Sequence, residues 1–584
     1  MNPPKKQKPV APGRHPLNAS SNHSHSFDIE QAFANAIRNH QSGNLQQAQK
    51  IYKEILSINP NHAETLNAQA ILACQQGQHA AAVILFQKAI HENPTKDAYH
   101  YNLGNALKDL GRSDDAVPCY RQALLLEPDH TEALNNLGTI LHNQGRFDEA
   151  ISSYKEALRI TPDYAEALYN LAVTLQSVNR LKDAVLCYQK ALRTKEDFPE
   201  VYSRLGSIFH EQGKIDAAIA CFQQALQISP EYAIAHGNLA SALTRIGNLN
   251  GAMDSCRRAL GIDADLPEVY MLLTTLLFIT RDWEHFDEVT EAILTNPKLS
   301  EQNRNWLNIQ RALQAWLTGN LARCTQYLQA SSSIQRTQPG DIYGKSRLAF
   351  YCLLKRLIDS RAKSPHLYVA EKSPSAYMLG DSHCLSFANL PVRIGKKTFT
   401  VAAGLAIGCK AYHLSQKEHN QYKEELLRNI ASIPDDSTVI LSFGEIDCRT
   451  GEGIYPAWMK KFQHLSLEEM VRNTVDGYLG FISEVTKGRK FRLMLLGVPA
   501  PMRSTVNMLT AEEIPPYVSI PRLWNKYLQN ATLQNGWTFL DTYTLTCDKQ
   551  GFSHGRYHID DHHLYPAALA SLVSEHAIPP YLPD

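Results

Sequence analysis

Apolar positions in the first half of the chain recur in blocks of 34 residues. TEALNNLGTILHNQGRFDEAISSYKEALRITPDY begins at Thr131, AEALYNLAVTLQSVNRLKDAVLCYQKALRTKEDF at Ala165 and PEVYSRLGSIFHEQGKIDAAIACFQQALQISPEY at Pro199. The frame runs back to Asp97, Ala63 and Ile29 and forward to Ala233. The eighth position is small throughout: Ala36, Ala70, Gly104, Gly138, Ala172, Gly206 and Ala240. The twentieth is Ala, from Ala48 to Ala252, and the thirty-second is mostly Pro, as at Pro60, Pro94, Pro128, Pro162 and Pro230. Each block predicts two helices that cross closely at the small residues. A Gly such as Gly111 or Gly145 turns the chain between them, and the Pro ends the second helix.

The texture changes after about residue 335, where SSSIQRTQPGDIYG reads as a break and RAKSPHLYVAEKSPS as a linker. Short runs rich in apolar and β-branched residues follow: AYMLGDS, TFTVAAGLAI, STVILSFGEID, FRLMLLGVPAP and WTFLDTYTL. They alternate with the helical patterns EHNQYKEELLRNIAS, SLEEMVRNTVDGYLGFISEV and IPRLWNKYLQNATLQ, and a last helix is expected after YPAAL. Strands alternating with helices predict a parallel sheet covered on both faces, with a site at the carboxyl ends of its strands. The expected organisation is a disordered tail (1–28), seven repeats (29–266), degenerate or capping repeats (267–334), a linker (335–374) and an α/β domain (375–584).

Composition narrows the classes. A chain of 584 residues is too long for one core. Its 58 basic and 58 acidic residues balance, which gives no support to a nucleic-acid partner. No run of about 18 apolar residues exists to span a membrane. The amino-terminal stretch is polar and Pro-rich, without a signal-peptide core. The 11 cysteines are odd in number and scattered, and Cys119, Cys187 and Cys221 share one repeat position, so they read as core residues. A reducing cytoplasm is the expected setting, and no cofactor is expected.

The repeat over 29–266 resembles the tetratricopeptide repeat (TPR) closely. That family forms an α-solenoid whose first helices line a concave groove for a protein or peptide. The sixth repeat position faces this groove in the family and holds Asn102, Asn136, Asn170 and Asn238 here, with Arg204 interrupting. An Asn amide both donates to and accepts from a peptide backbone. The series is similar to the asparagine ladder of O-linked N-acetylglucosamine transferases. It is equally the plain repeat consensus.

Candidate chemistry lies in the second half. Gly380-Asp381-Ser382-His383 follows the first strand. Alone, this turn serves a helix cap as readily as a nucleophile. Asp560-Asp561-His562-His563-Leu564-Tyr565-Pro566 is more particular, because a base and its orienting carboxylate stand three residues apart. Together the motifs over about residues 375–584 resemble the SGNH/GDSL hydrolases. The resemblance implies a flavodoxin-like three-layer α/β fold, with Ser382 as nucleophile, His563 as base and Asp560 orienting it. It also implies an oxyanion hole from the Ser382 N–H, a Gly N–H (Gly404, or Gly408) and an Asn of Gly-x-Asn-Asp. This chain departs there: Gly444 and Asp447 match, but Ile446 stands at the Asn place. Arg449 is a candidate replacement donor in a cluster with Glu445 and Asp447; the alternative is an ion pair that braces the loop. His554, His558, His562 and His563 have a helical ligand spacing, but Gly555 interrupts it and no metal is expected. His383 lines the pocket or faces solvent, and Cys384 and Cys448 read as packing residues.

Three functions compete. The first is a TPR-scaffolded esterase or acyl-transfer enzyme acting on an ester-containing small molecule or glycan. The second is a non-catalytic protein-binding scaffold. The third, prompted by the ladder, is a glycosyltransferase, against which the C-terminal part is short and lacks a Gly-rich diphosphate loop.

Overall fold

The computed structural model describes residues 28–331, 344–363, 374–388, 391–394, 397–406, 409–444, 446–449, 453–502, 509–548, 550, 552–554, 558, 563–564, 568 and 572. The chain divides into two compact units, Met1–Ile208 and Phe209–Asp584.

In the first unit the 34-residue pattern becomes helix pairs, such as Asp97–Asp109 with Ser113–Leu126 and Thr131–Asn143 with Phe147–Ile160. The crossing explains the small eighth position. A Cβ on Gly138 would lie 2.7 Å from the ring of Tyr154, sixteen positions on in the same block. The equivalent rings of Tyr52, Phe86, Tyr120 and Tyr188 are also buried. The turn between paired helices takes the left-handed backbone, with φ between 75° and 83° at Gly43, Gly77, Gly111 and Gly145 and φ 59° at Asn179.

In the second unit the last full repeats lead into four more helices, Pro267–Thr280, Trp283–Leu294, Glu301–Leu317 and Leu321–Ala330. The stretch read as linker holds a 20-residue helix, Gly344–Lys363, whose Leu353, Leu354 and Leu357 are buried. A six-stranded sheet follows: β1 (Pro374–Gly380), β2 (Pro391–Ile394), β3 (Lys397–Leu405), β4 (Thr438–Ser442), β5 (Arg492–Leu496) and β6 (Thr538–Leu540). Its order is β2-β3-β1-β4-β5-β6. Among the described residues only β2 runs antiparallel, as an edge strand paired to β3; the other pairings are parallel. The parallel strands thus follow a doubly wound order. β1 sits where the winding reverses, with its carboxyl end at the switch point that forms a crevice in such sheets.

Alternate strand residues face opposite ways. Val439, Leu441, Leu493 and Leu495 join a core with helices Gln421–Ala431, Leu467–Val485 and Ile514–Gln534. Met378, Val401, Ala403, Ile440, Met494 and Leu540 join a second core with Leu276, Leu313, Trp316, Leu353 and Leu357. The helices after the repeats therefore cover one face of the sheet. Among the described residues no helix is long and apolar enough to cross a membrane.

Candidate functional site

Ser382 stands where β1 ends. β1 and β4 approach so closely there that a Cβ on Gly380 would lie 2.2 Å from the Ser442 carbonyl oxygen. The Asp381 N–H extends this pairing, donating to the same oxygen at 3.1 Å. The chain then turns into a short helix, His383–Phe387, but the Ser382 side chain makes no capping bond to it. Instead its Oγ lies 2.8 Å from Nε2 of His563, 181 residues away. Ser382 is half-buried, and His563 is 6% exposed. A hydroxyl within hydrogen-bond reach of an imidazole is the first requirement of an activated serine. Asp560, Gly408 and Glu445 lie outside the described residues. Two further histidines of the tail have their own contacts: His558 Nδ1 lies 2.9 Å from Ser553 Oγ, and His554 Nε2 lies 2.9 Å from the Leu545 carbonyl; His562 lies outside the described residues.

The third-strand block has a bracing geometry. Gly444 has φ 118°, and a Cβ on it would lie 2.5 Å from the buried Trp524 indole. After the 3₁₀ turn Ile446–Cys448, the carboxylate of Asp447 accepts from the main-chain N–H of Ala411 at 2.7 Å and of Tyr412 at 3.0 Å. It therefore caps helix Ala411–Ser415 and ties this turn to it. Burial pushes the Asp447 carboxyl up to about 6, against the pull of those N–H groups and of Lys410. Arg449 follows the turn, half-buried, and its carbonyl accepts from the Gly453 N–H at 2.9 Å. Gly404 sits at the carboxyl end of β3, one residue before its last, paired with Leu379. A Cβ there would lie 2.4 Å from a Leu379 methyl and 2.6 Å from Arg281 Nη2, so its missing side chain makes room for both.

The asparagines of the sixth repeat position bond between repeats. Asn102 Nδ2 donates to Asn67 at 3.1 Å, Asn136 Nδ2 to Asn105 at 2.9 Å, and Asn170 Nδ2 to Asn135 at 3.0 Å. Each acceptor belongs to the preceding block, so these amides help set the stacking, and Asn136 is only 7% exposed. Asn238 lies in the second unit, half-buried.

Comparison with known proteins decides the first half. Models described as tetratricopeptide repeat match residues 40–101, 101–165, 141–207 and 233–266, and one described as TPR repeat matches 206–247. Residues 40–266 are tetratricopeptide repeats. The human tetratricopeptide repeat proteins 7A and 7B are similar over 85 residues, at 29% and 31% identity. The match covers 15% of this chain and a tenth (10%) of the length of those relatives. Among solved structures, YrrB, described as a TPR protein with an unusual peptide-binding site, is 24% identical. That similarity covers 32% of this chain and 95% of YrrB, with a TM-score of 0.28.

The TPR frame exposes one departure with a bearing on the site. The interhelical turn falls at the fifteenth repeat position, held by Gly43, Gly77, Gly111, Gly145, Asn179, Gly213 and Gly247. One period further on it holds Arg281, which keeps the left-handed backbone at φ 56°. Its guanidinium enters the α/β region and donates to the Ala403 carbonyl of β3 at 3.3 Å. Trp316, from helix Glu301–Leu317, donates its indole N–H to the Leu385 carbonyl at 2.9 Å, on the helix that begins beside Ser382. Glu425 is also buried there, and burial pushes its carboxyl up to about 8 while the Arg281 charge pulls it back. None of the three belongs to the sequence motifs. Arg281 alone carried a signal, as a charged residue at a Gly position of the repeat.

Proposed function

We propose that the α/β region of this chain is an SGNH/GDSL-type serine esterase or acyl-transfer enzyme, carried on a TPR arm that binds a protein partner. The supporting observation is the 2.8 Å approach of Ser382 Oγ to His563 Nε2 at the carboxyl end of the central strand. In this reading the Ser382 oxygen attacks the carbonyl carbon of a carboxylic ester as His563 Nε2 takes the hydroxyl proton. The tetrahedral intermediate collapses, and the leaving alcohol receives that proton from His563. Water or a second hydroxyl then attacks the acyl-Ser382 ester, with His563 again accepting and returning a proton. Asp560 is the proposed orienting carboxylate. The repeats support the binding role, since stacked tetratricopeptide helix pairs are an architecture that takes up extended segments of other proteins.

A second reading, a non-catalytic scaffold, is favoured by Ile446. An aliphatic side chain donates no hydrogen bond, and loss of one oxyanion donor costs about 10²–10³ in rate. A fluorophosphonate probe separates the two. The enzyme reading expects covalent labelling at Ser382 that disappears in Ser382→Ala and falls steeply in His563→Ala. A folded wild-type chain that resists labelling refutes it.

A further inference from the structure

The α/β region borrows its support from the helical arm at two points that converge on the nucleophile turn. Trp316, 1% exposed, donates to the Leu385 carbonyl within helix His383–Phe387. The Leu385 N–H in turn donates to the Ser382 carbonyl at 3.2 Å. One indole thus holds the turn whose first residue is Ser382. Arg281 grips the neighbouring strand. It donates to Ala403, which pairs with Met378 of β1, and it occupies the space left by Gly404, which pairs with Leu379. Its charge also faces the buried groups Cys384 and Glu425. Two residues after Gly404, the Ala406 N–H donates to the Gly380 carbonyl at 2.8 Å, two residues before Ser382.

The backbone at Arg281 strengthens the case. A left-handed residue disfavours any side chain, and the TPR turns of this chain otherwise place Gly or Asn there. An Arg kept in that conformation, with its guanidinium reaching the Ala403 carbonyl and the space beside Gly404, is explained by what the side chain reaches rather than by the turn. We propose that Trp316 and Arg281 are positioning residues: the end of the helical arm holds Ser382 in register with His563, so the arm is part of the site's construction as well as a binding module. This rests on the esterase reading for its catalytic consequence, though not for its structural one.

The test uses the full chain carrying Trp316→Phe, Arg281→Gly or Arg281→Lys. Phe keeps an aromatic side chain, though a smaller one, and removes the donor. Gly restores the consensus turn residue and removes the guanidinium, and Lys keeps the charge. Two readouts are taken: the fluorophosphonate labelling rate at Ser382, and hydrogen exchange of the peptide spanning 376–388. Trp316→Phe and Arg281→Gly are each expected to slow labelling about 10-fold or more, as small displacements of reacting groups do. Both are also expected to raise exchange in that peptide, and Arg281→Lys to recover part of both losses. Unchanged labelling and exchange in both variants overturns the proposal, as does Arg281→Gly behaving like wild type. If wild type itself does not label, the esterase reading fails alone. Exchange then decides: faster exchange in 376–388 supports the holding role, and unchanged exchange refutes it.

Discussion

Replacing Glu425 by Gln tests the electrostatics beneath the site. Glu425 lies on helix Gln421–Ala431 at 2% exposure, with its carboxyl pushed up to about 8 chiefly by burial. An unfolded glutamate titrates near 4.3. The folded value is the higher one, so the stability this group allows is complete below about pH 4 and is lost as pH rises through about 8. Each pH unit above the unfolded value costs about 1.4 kcal/mol, which amounts to about 3–4 kcal/mol by pH 7. Gln has nearly the same shape and no charge to desolvate. Glu425→Gln is therefore expected to be more stable than wild type by about 3 kcal/mol at pH 7, with the gain shrinking towards zero near pH 4. The assay is urea unfolding of both proteins across pH 4–8, followed by tryptophan fluorescence. All six tryptophans, at 283, 306, 316, 458, 524 and 537, lie in the second unit, so the signal reports that unit. Taking the difference between the two proteins at each pH cancels the other titrating groups. A variant less stable than wild type at every pH refutes the reasoning. Glu425 would then be ionised and paired with Arg281, and breaking such a buried pair costs about 3–5 kcal/mol.

Other substitutions follow from the bracing contacts. Gly444→Ala places a Cβ 2.5 Å from the Trp524 ring at φ 118°, and should cost about 2–4 kcal/mol in urea unfolding; a loss under about 0.5 kcal/mol counts against the geometry. Asp447→Ala leaves the Ala411 and Tyr412 N–H groups without their acceptor, at about 1–3 kcal/mol each, while Asp447→Asn should retain part of that. Asn170→Ala removes one inter-repeat bond and should lower the unfolding midpoint of the repeats, read by far-ultraviolet circular dichroism, by the equivalent of about 1 kcal/mol. If Arg449 stands in for the missing oxyanion donor, Arg449→Ala should slow Ser382 labelling by about 10²-fold, and unchanged labelling assigns Arg449 to the loop instead.

The repeats were legible because every block repeats the same packing problem. A small eighth residue must meet a buried ring, and Gly138 against Tyr154 shows why no larger residue recurs there. The parallel strands were legible as apolar runs, since strands buried on both faces need no alternation. β2 was not: four residues beginning with Pro, paired on one side only, carry almost no pattern. The helix Gly344–Lys363 was hidden by its neighbourhood, since a Gly- and Pro-marked break on one side and a Pro-marked stretch on the other made the whole interval read as linker. Within the candidate site, the motifs singled out Ser382 and His563, whose side chains lie 2.8 Å apart. The role of Asp447 was not legible, because its hydrogen-bond partners lie 35 and 36 residues away and are main-chain groups that any side chain would carry.

The boundary between arm and α/β region is the deeper case. Composition divides the chain near residue 335, yet Leu276, Leu313, Trp316 and Leu357 share a core with Met378, Val401 and Ile440. A sheet that expects cover on both faces was read as supplying that cover from its own helices. Here one face is closed by helices that precede the sheet, and hydrophobic pattern cannot reveal this, because an apolar stripe does not name the surface it meets. A charged residue at a conformationally restricted position does carry such information. Arg281 occupies a left-handed turn that the repeat reserves for Gly or Asn, and its reach to Ala403 supplies the reason. Departures from a repeat consensus at backbone-restricted positions therefore mark where a solenoid stops packing against itself and begins packing against something else.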